Sequence, residues 1–182
     1  MATARAGRMI AVGEALAGRE LLTVSGEVVP IPDRERLVHL QFRRFAGCPI
    51  CNLHLRSVIA RHDEIAAAGI REVAVFHSST EELLAHHQAV PFAMVADPDK
   101  RLYREFGVES SARALLDPRA WWPALHGVVR KRRPWRLDLH GGPLGLPADF
   151  LIDPDGRVLA RKYGTHAYDQ WTVDELLALA RA

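Results

Sequence analysis

The sequence predicts an α/β fold in which helices flank a mixed β-sheet. Short apolar runs typical of buried strands alternate with stretches whose apolar residues recur every three to four positions, as in amphipathic helices. Strands that are joined through a helix lie parallel. Residues 147–153 and 157–163 are instead separated only by a Pro154-Asp155-Gly156 turn, which predicts an antiparallel hairpin. Parallel β-α-β units followed by a hairpin make the sheet mixed.

The composition is that of one globular domain over residues 1–182. Of these residues 48% are hydrophobic and 25% are charged, which argues against disorder. The net charge of +2 gives no general attraction to nucleic acid or anionic membranes, and no apolar run is long enough for a transmembrane helix. The N-terminus lacks the apolar core of a secretory signal, so we expect a cytoplasmic protein.

The first elements lead to the only two cysteines. We expect residues 1–20 to form a marginal helix or a mobile arm. Residues 21–32 predict a hairpin at the sheet edge with its turn at Ser25-Gly26, and residues 37–42 predict the first strong strand. From Pro49 an apolar stripe predicts one helix of about five turns with Gly69 as its C-terminal cap, followed by a buried strand at residues 73–76.

Most of the remaining chain repeats this alternation. The predicted elements are a helix with a Ser79/Glu82 capping box, a strand at 92–96, a short helix closed by Gly107, an insertion at 108–145, the hairpin, and a last helix starting near Thr172. This order predicts a thioredoxin-like sheet with an N-terminal hairpin and an insertion before the C-terminal hairpin and helix.

The insertion is rich in tryptophan and arginine. It contains Trp121, Trp122 and Trp135 and the basic run at 130–133. We interpret the tryptophans as packing residues and the basic run as a solvated loop, and nucleic-acid binding as the less favoured alternative. The nine histidines show no regular ligand spacing, and we interpret each as a surface or packing residue.

Cys48 and Cys51 are three positions apart at the predicted strand-to-helix junction. Cytoplasmic thiols are normally reduced, so a lone CxxC pair indicates catalysis, redox sensing or metal binding. Cys48 is predicted to cap the helix, where unpaired N–H groups favour a thiolate, whereas Cys51 would be more buried. This predicts Cys48 as nucleophile and Cys51 as resolving thiol. A zinc site with His54 is the weaker alternative, because no fourth ligand is evident.

The same pair could serve two reactions. A peroxide would oxidise Cys48 to a sulfenic acid that Cys51 converts to a disulfide. A disulfide substrate would instead form a mixed disulfide with Cys48, which Cys51 releases. The spacing of the cysteines predicts thiol redox chemistry without fixing the substrate.

Two stretches carry a resemblance to a known family. FRRFAGCPIC followed by a long helix, together with the distal ADFLIDPDGRVLARKYG, resembles the peroxiredoxin-like branch of the alkyl hydroperoxide reductase/thiol-specific antioxidant superfamily, which has a thioredoxin fold. The resemblance covers most of residues 21–182 outside the insertion. It implies peroxide reduction at Cys48 without a cofactor.

The resemblance also bears on the residues around Cys48. Where peroxiredoxins carry a threonine or serine and a proline, this chain has Phe45 and Gln41, and its CPxC form is similar to that of thioredoxins. Pro147 matches the place of the thioredoxin cis-proline, which implies contact with substrate. Pro49 suits the first helical turn.

Arg43 and Arg44 could each support Cys48. Adjacent strand residues point to opposite faces, so we expect at most one of them to do so.

We therefore expect a thiol-dependent oxidoreductase that reduces peroxides and is recycled by a thioredoxin- or glutathione-type thiol reductant. The alternatives are a thioredoxin-like thiol-disulfide oxidoreductase and a non-catalytic redox sensor or binding module. The sequence leaves a homodimer open and predicts no metal and no membrane partner.

Overall fold

The computed structural model describes residues 8–87, 90–108 and 145–182, with Ile50 described only by its backbone. Its elements in chain order are β1 (Arg19–Leu22), β2 (Val28–Ile31), β3 (Leu37–Phe42), α1 (Pro49–Ala60), α2 (His62–Ala67), β4 (Ile70–Phe76), α3 (Thr80–His86), β5 (Ala93–Ala96), α4 (Arg101–Glu105), β6 (Ala148–Ile152), β7 (Val158–Tyr163) and α5 (Val173–Leu179). Among the described residues, no helix is long and apolar enough to cross a membrane.

The main sheet has five strands in the order β5-β4-β3-β6-β7. β3 pairs parallel with β4, and β4 pairs parallel with β5. β6 runs antiparallel to both β3 and β7. This confirms the predicted mixed, thioredoxin-like sheet, with β3 at its centre and the loop that carries the cysteines at the carboxyl end of β3.

The N-terminal part differs from the prediction in two ways. β1 and β2 form the expected hairpin, but it is a separate two-stranded sheet, joined to β5 by a 2.9 Å hydrogen bond from the Val24 N–H to the Met94 carbonyl. Pro30 and Pro32 have no N–H to donate, which limits pairing along β2. Residues 8–18 form no helix and lie along β7, where Gly13 and Glu14 exchange backbone hydrogen bonds with Val158 at 2.8 and 2.9 Å.

The predicted long helix is divided into α1 and α2. Arg61 leaves helical geometry at φ −117° and ψ 21°, and Gly69 then ends the unit at φ 75°, as predicted. The guanidinium of Arg61 contacts Glu64 and, at the start of α5, Asp174, each at 2.7 Å. The contact with α5 is tertiary, so the apolar period of the sequence could not show it.

Both capping boxes are confirmed. The Ser79 and Thr172 hydroxyls accept from the backbone N–H three residues later, and the glutamates at those positions bond back to the cap. The predicted insertion, including its three tryptophans and basic run, lies outside the described residues except at its ends.

The two faces of β3 are chemically different. Val38, Leu40 and Phe42 face a hydrophobic core formed with the β1–β2 hairpin and the region around α4. The opposite face carries His39 and Gln41, both at most 1% exposed. Buried polar groups must be paired to be tolerated.

The pairing of these groups links the three central strands. His39 Nδ1 lies 2.9 Å from Oε2 of Glu72 on β4, and His39 Nε2 lies 3.3 Å from Oδ1 of Asp149 on β6. Gln41 donates to Glu72 and accepts from Arg43, whose guanidinium is also 3.9 Å from Asp149. These five residues, which we call the central polar network, lie beneath the helices that pack on this face.

Burial alone would lower the pKa of His39, but the carboxylates of Glu72 and Asp149 outweigh it and raise that pKa to about 9. Burial also works against ionised Asp149, yet His39 and Arg43 hold the pKa of its carboxyl below the ordinary value. His39 is therefore a buried cation at neutral pH, and the interpretation of every histidine as a simple surface or packing residue is wrong for it.

The charged His39 predicts a loss of stability in alkali. A histidine in the unfolded chain has a pKa near 6.5, so between that value and about 9 the folded protein holds a proton that the unfolded chain has released. Stabilisation from the charged imidazole is complete below pH of about 6.5 and falls by about 1 kcal/mol per pH unit as the pH rises toward 9. Urea unfolding of the reduced protein at several pH values measures this slope.

His39→Gln removes the titrating group and should flatten the slope over the same range. If that variant is too unstable to measure, NMR titration of the His39 ring in the wild-type protein gives the same information. A ring pKa at or below 6.5, or equal slopes in both proteins, would contradict the assignment.

Candidate active site around Cys48

Cys48 is the N-cap residue of α1, as predicted. Its backbone is extended (φ −62°, ψ 115°), Pro49 occupies the first turn, and the Cys48 sulfur accepts from the Cys51 backbone N–H at 3.4 Å. The loop is closed on the other side by a 3.1 Å hydrogen bond from the Cys48 N–H to the Phe45 carbonyl. A sulfur in this position faces unpaired N–H groups and the positive end of the helix dipole, both of which stabilise a thiolate.

Cys51 lies one helical turn further on. Both cysteines are free thiols, both are 1% exposed, and they form a small cluster with Ala167, against which the half-buried Phe45 packs. Burial and the neighbouring Cys48 raise the pKa of Cys51 well above its ordinary value, against a smaller opposing effect from Arg44. Cys51 therefore remains protonated at neutral pH.

The two arginines point to different environments. Arg44 Nη1 lies 3.6 Å from the Cys48 sulfur, so its positive charge is next to the candidate nucleophile. Arg43 is completely buried on the opposite side, where it donates to Gln41 and Gln170. The structure thus brings one arginine, Arg44, to Cys48.

Phe45 and Gln41 stand where peroxiredoxins carry other residue types. The structure places these two side chains in different environments. The Arg44 guanidinium lies over the Phe45 ring, 5.7 Å from its centroid, so Phe45 packs beside both Cys48 and Arg44. Gln41 belongs to the central polar network and is fully buried. The Phe45 side chain has no hydrogen-bonding group to offer a substrate.

Pro147 is buried immediately before β6, and its carbonyl accepts from the Gly164 N–H at 2.8 Å. Among the described residues the cis peptide bond is Ile31–Pro32, so the bond before Pro147 is trans. A match based on position in the chain could not distinguish the two isomers. Contact between Pro147 and a substrate stays a prediction.

His54, the candidate third zinc ligand, bonds away from the cysteines. Its Nε2 donates to the Trp171 carbonyl at 2.7 Å. Burial and the charge of Arg43 lower the pKa of His54 to about 3, so the ring is neutral. Within the part of the chain that the structure describes, no group of three histidine, cysteine or acidic side chains could hold a metal ion.

The sequence pattern did not mark His77 as a candidate site residue. It follows β4 directly, is 1% exposed, and packs between the rings of Phe45 and Tyr103 at centroid distances of 6.4 and 5.6 Å. Its position at the carboxyl end of the strand beside β3 was a usable signal, because ligands of α/β sheets bind at such ends.

Solved structures that resemble this one have related folds. A crystal structure of the peroxidoxin BcpB from Mycobacterium tuberculosis has a TM-score of 0.64 and 17% identity, over 93% of this chain and 96% of that one. A cysteine-to-serine mutant of peroxiredoxin 6 from Arenicola marina has a TM-score of 0.70 and 16% identity, over 94% and 72%. A protein described as a thiol:disulfide interchange protein DsbE, from Chlorobium tepidum, has a TM-score of 0.61 and 21% identity, over 94% and 99%.

These low identities show the fold alone. A comparison with curated protein sequences found no significant match. A sequence model of the AhpC/TSA antioxidant enzymes matches residues 57–166, which is more than half of the chain but begins after both cysteines. The fold and this match together show that the chain belongs to the AhpC/TSA antioxidant enzyme family.

Proposed function

We propose that the protein is a thiol peroxidase in which Cys48 attacks a hydroperoxide and Cys51 resolves the product. The observation that carries the proposal is the position of the Cys48 sulfur, which accepts a hydrogen bond at the start of α1 and lies 3.6 Å from Arg44. Both features stabilise negative charge on this sulfur, and the thiolate is the reactive form. The protonated Cys51 is one turn away, where it can react in the second step.

The reaction has two steps and a recycling stage. The Cys48 thiolate attacks the terminal oxygen of ROOH, forming an S–O bond and breaking the O–O bond. The leaving RO⁻ takes a proton to become ROH, and the sulfur, oxidised by two electrons, becomes a sulfenic acid. Cys51 then attacks that sulfur, forming the disulfide and releasing water. A dithiol reductant or two thiols return both cysteines to the reduced state through a mixed disulfide.

Burial favours a small oxidant over a protein disulfide. Both sulfurs belong to residues that are 1% exposed. Thiol-disulfide exchange requires the attacking thiolate to reach a disulfide sulfur nearly in line, and access controls its rate. A hydroperoxide has fewer atoms to bring into the same space.

Thiol-disulfide exchange is the second candidate, because CPIC contains a CxxC pair and Phe45 gives no hydroxyl to a peroxide. Reduction of a model protein disulfide faster than that of hydrogen peroxide would favour this candidate. The third hypothesis, a redox sensor or binding module, depends on an insertion that lies outside the described residues and stays a prediction.

The two cysteine variants should fail in different ways. After hydrogen peroxide treatment the wild-type protein should lose two hydrogens as a disulfide forms. Cys51→Ser should stop at sulfenic acid on Cys48 and proceed to sulfinic acid with excess peroxide. Cys48→Ser should show almost no oxidation, because the remaining Cys51 thiol is protonated. Intact-mass spectrometry after timed quenching distinguishes these products.

Free cysteine at the same pH is the reference for the rate. Wild-type oxidation no faster than that of free cysteine would rule out the peroxidase proposal. Oxidation of Cys48→Ser at the wild-type rate would instead show that the two cysteine roles are wrongly assigned.

The neighbouring arginines provide a matched pair of variants. Arg44→Met removes the charge beside Cys48 and should slow alkylation of Cys48 by iodoacetamide at pH 7 by about tenfold, since one such charge is worth roughly 1–2 kcal/mol. Arg43→Met removes a partner of Asp149 from the central polar network and should lower the free energy of unfolding by about 3 kcal/mol. Alkylation rates and urea unfolding measure the two effects.

The control is to measure both the alkylation rate of Cys48 and the free energy of unfolding in Arg44→Met and in Arg43→Met. The alkylation rate of Arg43→Met should stay within about threefold of wild type wherever the variant is folded, because its guanidinium points away from the sulfur. Equal loss of reactivity in both variants would show that general stability, not the charge of Arg44, controls Cys48.

A further inference from the structure

His77 is a buried polar side chain whose ring nitrogens are unpaired within the described part of the chain. The residue is 1% exposed, and neither ring nitrogen has a hydrogen-bond partner among the described residues. A buried, unsatisfied polar atom costs about 1–3 kcal/mol, so a phenylalanine would fill this space at lower cost. A hydrogen bond from the imidazole to a ligand would offset this cost.

His77 lies beside Arg44, at the carboxyl ends of two neighbouring strands. The β3–β4 register pairs Phe42 with Val75, and two further residues on each strand lead to Arg44 and His77. The strands alternate in side-chain direction, so Arg44 and His77 lie on the same face at neighbouring strand ends. Arg44 in turn contacts the Cys48 sulfur.

Gly145 lies close to the side chains of both His77 and Arg44. A methyl group added at Gly145 would lie 2.9 Å from Nε2 of His77 and 3.8 Å from Cγ of Arg44. A distance of 2.9 Å is too short for a carbon atom beside a ring nitrogen, so the present position of His77 requires glycine here. The backbone at 145 thus packs against the imidazole and lies close to Arg44, whose guanidinium is 3.6 Å from the Cys48 sulfur.

The state of the imidazole suits a neutral ligand that is both donor and acceptor. Burial and the positive charges of Lys100 and Arg44 lower the pKa of His77 to about 4, so the ring is neutral at physiological pH. A neutral imidazole presents one N–H donor and one nitrogen acceptor. A hydroperoxide likewise has an O–H donor and oxygen acceptors, whereas a disulfide has no donor.

We propose that the His77 imidazole binds the hydroperoxide next to Cys48 and donates its N–H to the departing oxygen. This inference rests on the proposed function and supplies the hydrogen-bonding group that Phe45 lacks. As the O–O bond breaks, the electron pair leaves on this oxygen, and a preoriented N–H stabilises the charge that develops there. The imidazole keeps its own proton, and the product RO⁻ becomes ROH by taking a proton from solvent.

The test compares two reactions of one sulfur. All variants are made in Cys51→Ser, so that only Cys48 reacts. The second-order rate constant for hydrogen peroxide reports on the oxidant site, whereas that for iodoacetamide reports on the thiolate alone. A residue that only supports the fold or the thiolate changes both constants together, and a residue that binds the oxidant changes their ratio.

His77→Phe should lower the peroxide rate constant at least about tenfold and the iodoacetamide constant less than about twofold. His77→Gln keeps an N–H donor and should retain a large part of the peroxide rate. Gly145→Ala should act like His77→Phe by displacing the ring. His62→Phe, the same chemical change on α2, should alter neither constant.

The inference is overturned if His77→Phe reacts with peroxide at the parent rate, or if both rate constants fall in parallel. Either result leaves the proposed peroxidase function intact. If the parent itself reacts with hydrogen peroxide no faster than free cysteine, the proposed function fails, and this inference fails with it.

Discussion

Charge buried in the middle of the sheet is the constraint on which the rest of the structure depends. His39, Glu72, Asp149 and Arg43 are all at most 1% exposed, and each would be very costly without a partner. Their mutual contacts require β4, β3 and β6 to lie side by side in one register. That register in turn fixes where β3 ends and where the loop carrying Cys48 begins.

The end of β3 then separates two arginines that are adjacent in the chain. Arg43 belongs to the central polar network, whereas Arg44 lies next to the Cys48 sulfur. Alternation of side chains along an extended strand is enough to give two identical residue types a structural and a reactive environment. The nucleophile therefore stands on a rigid strand-to-helix junction, and its supporting charge comes from the same strand end.

The local residue pattern was sufficient to predict many of the secondary-structure elements. The order of strands and helices, the β3 boundaries, both capping boxes and the place of Cys48 at the start of α1 followed from periodicity, caps and turns, because these depend on residues close together in the chain. The local pattern did not predict the features that depend on contacts between residues far apart in the chain. Arg61 interrupts the long helix where it meets Asp174, and residues 8–18 pair with β7.

The sequence alone determined that two thiols at i and i+3 would meet at a helix N-terminus, since one helical turn fixes their separation. Only the tertiary structure decided which arginine faces the sulfur, that both cysteines are buried, and that His77 stands beside Arg44 with ring nitrogens that no described residue bonds. Those features arise where β3, β4 and residue 145 converge. Residues so far apart in the chain carry no local signal of the space they share.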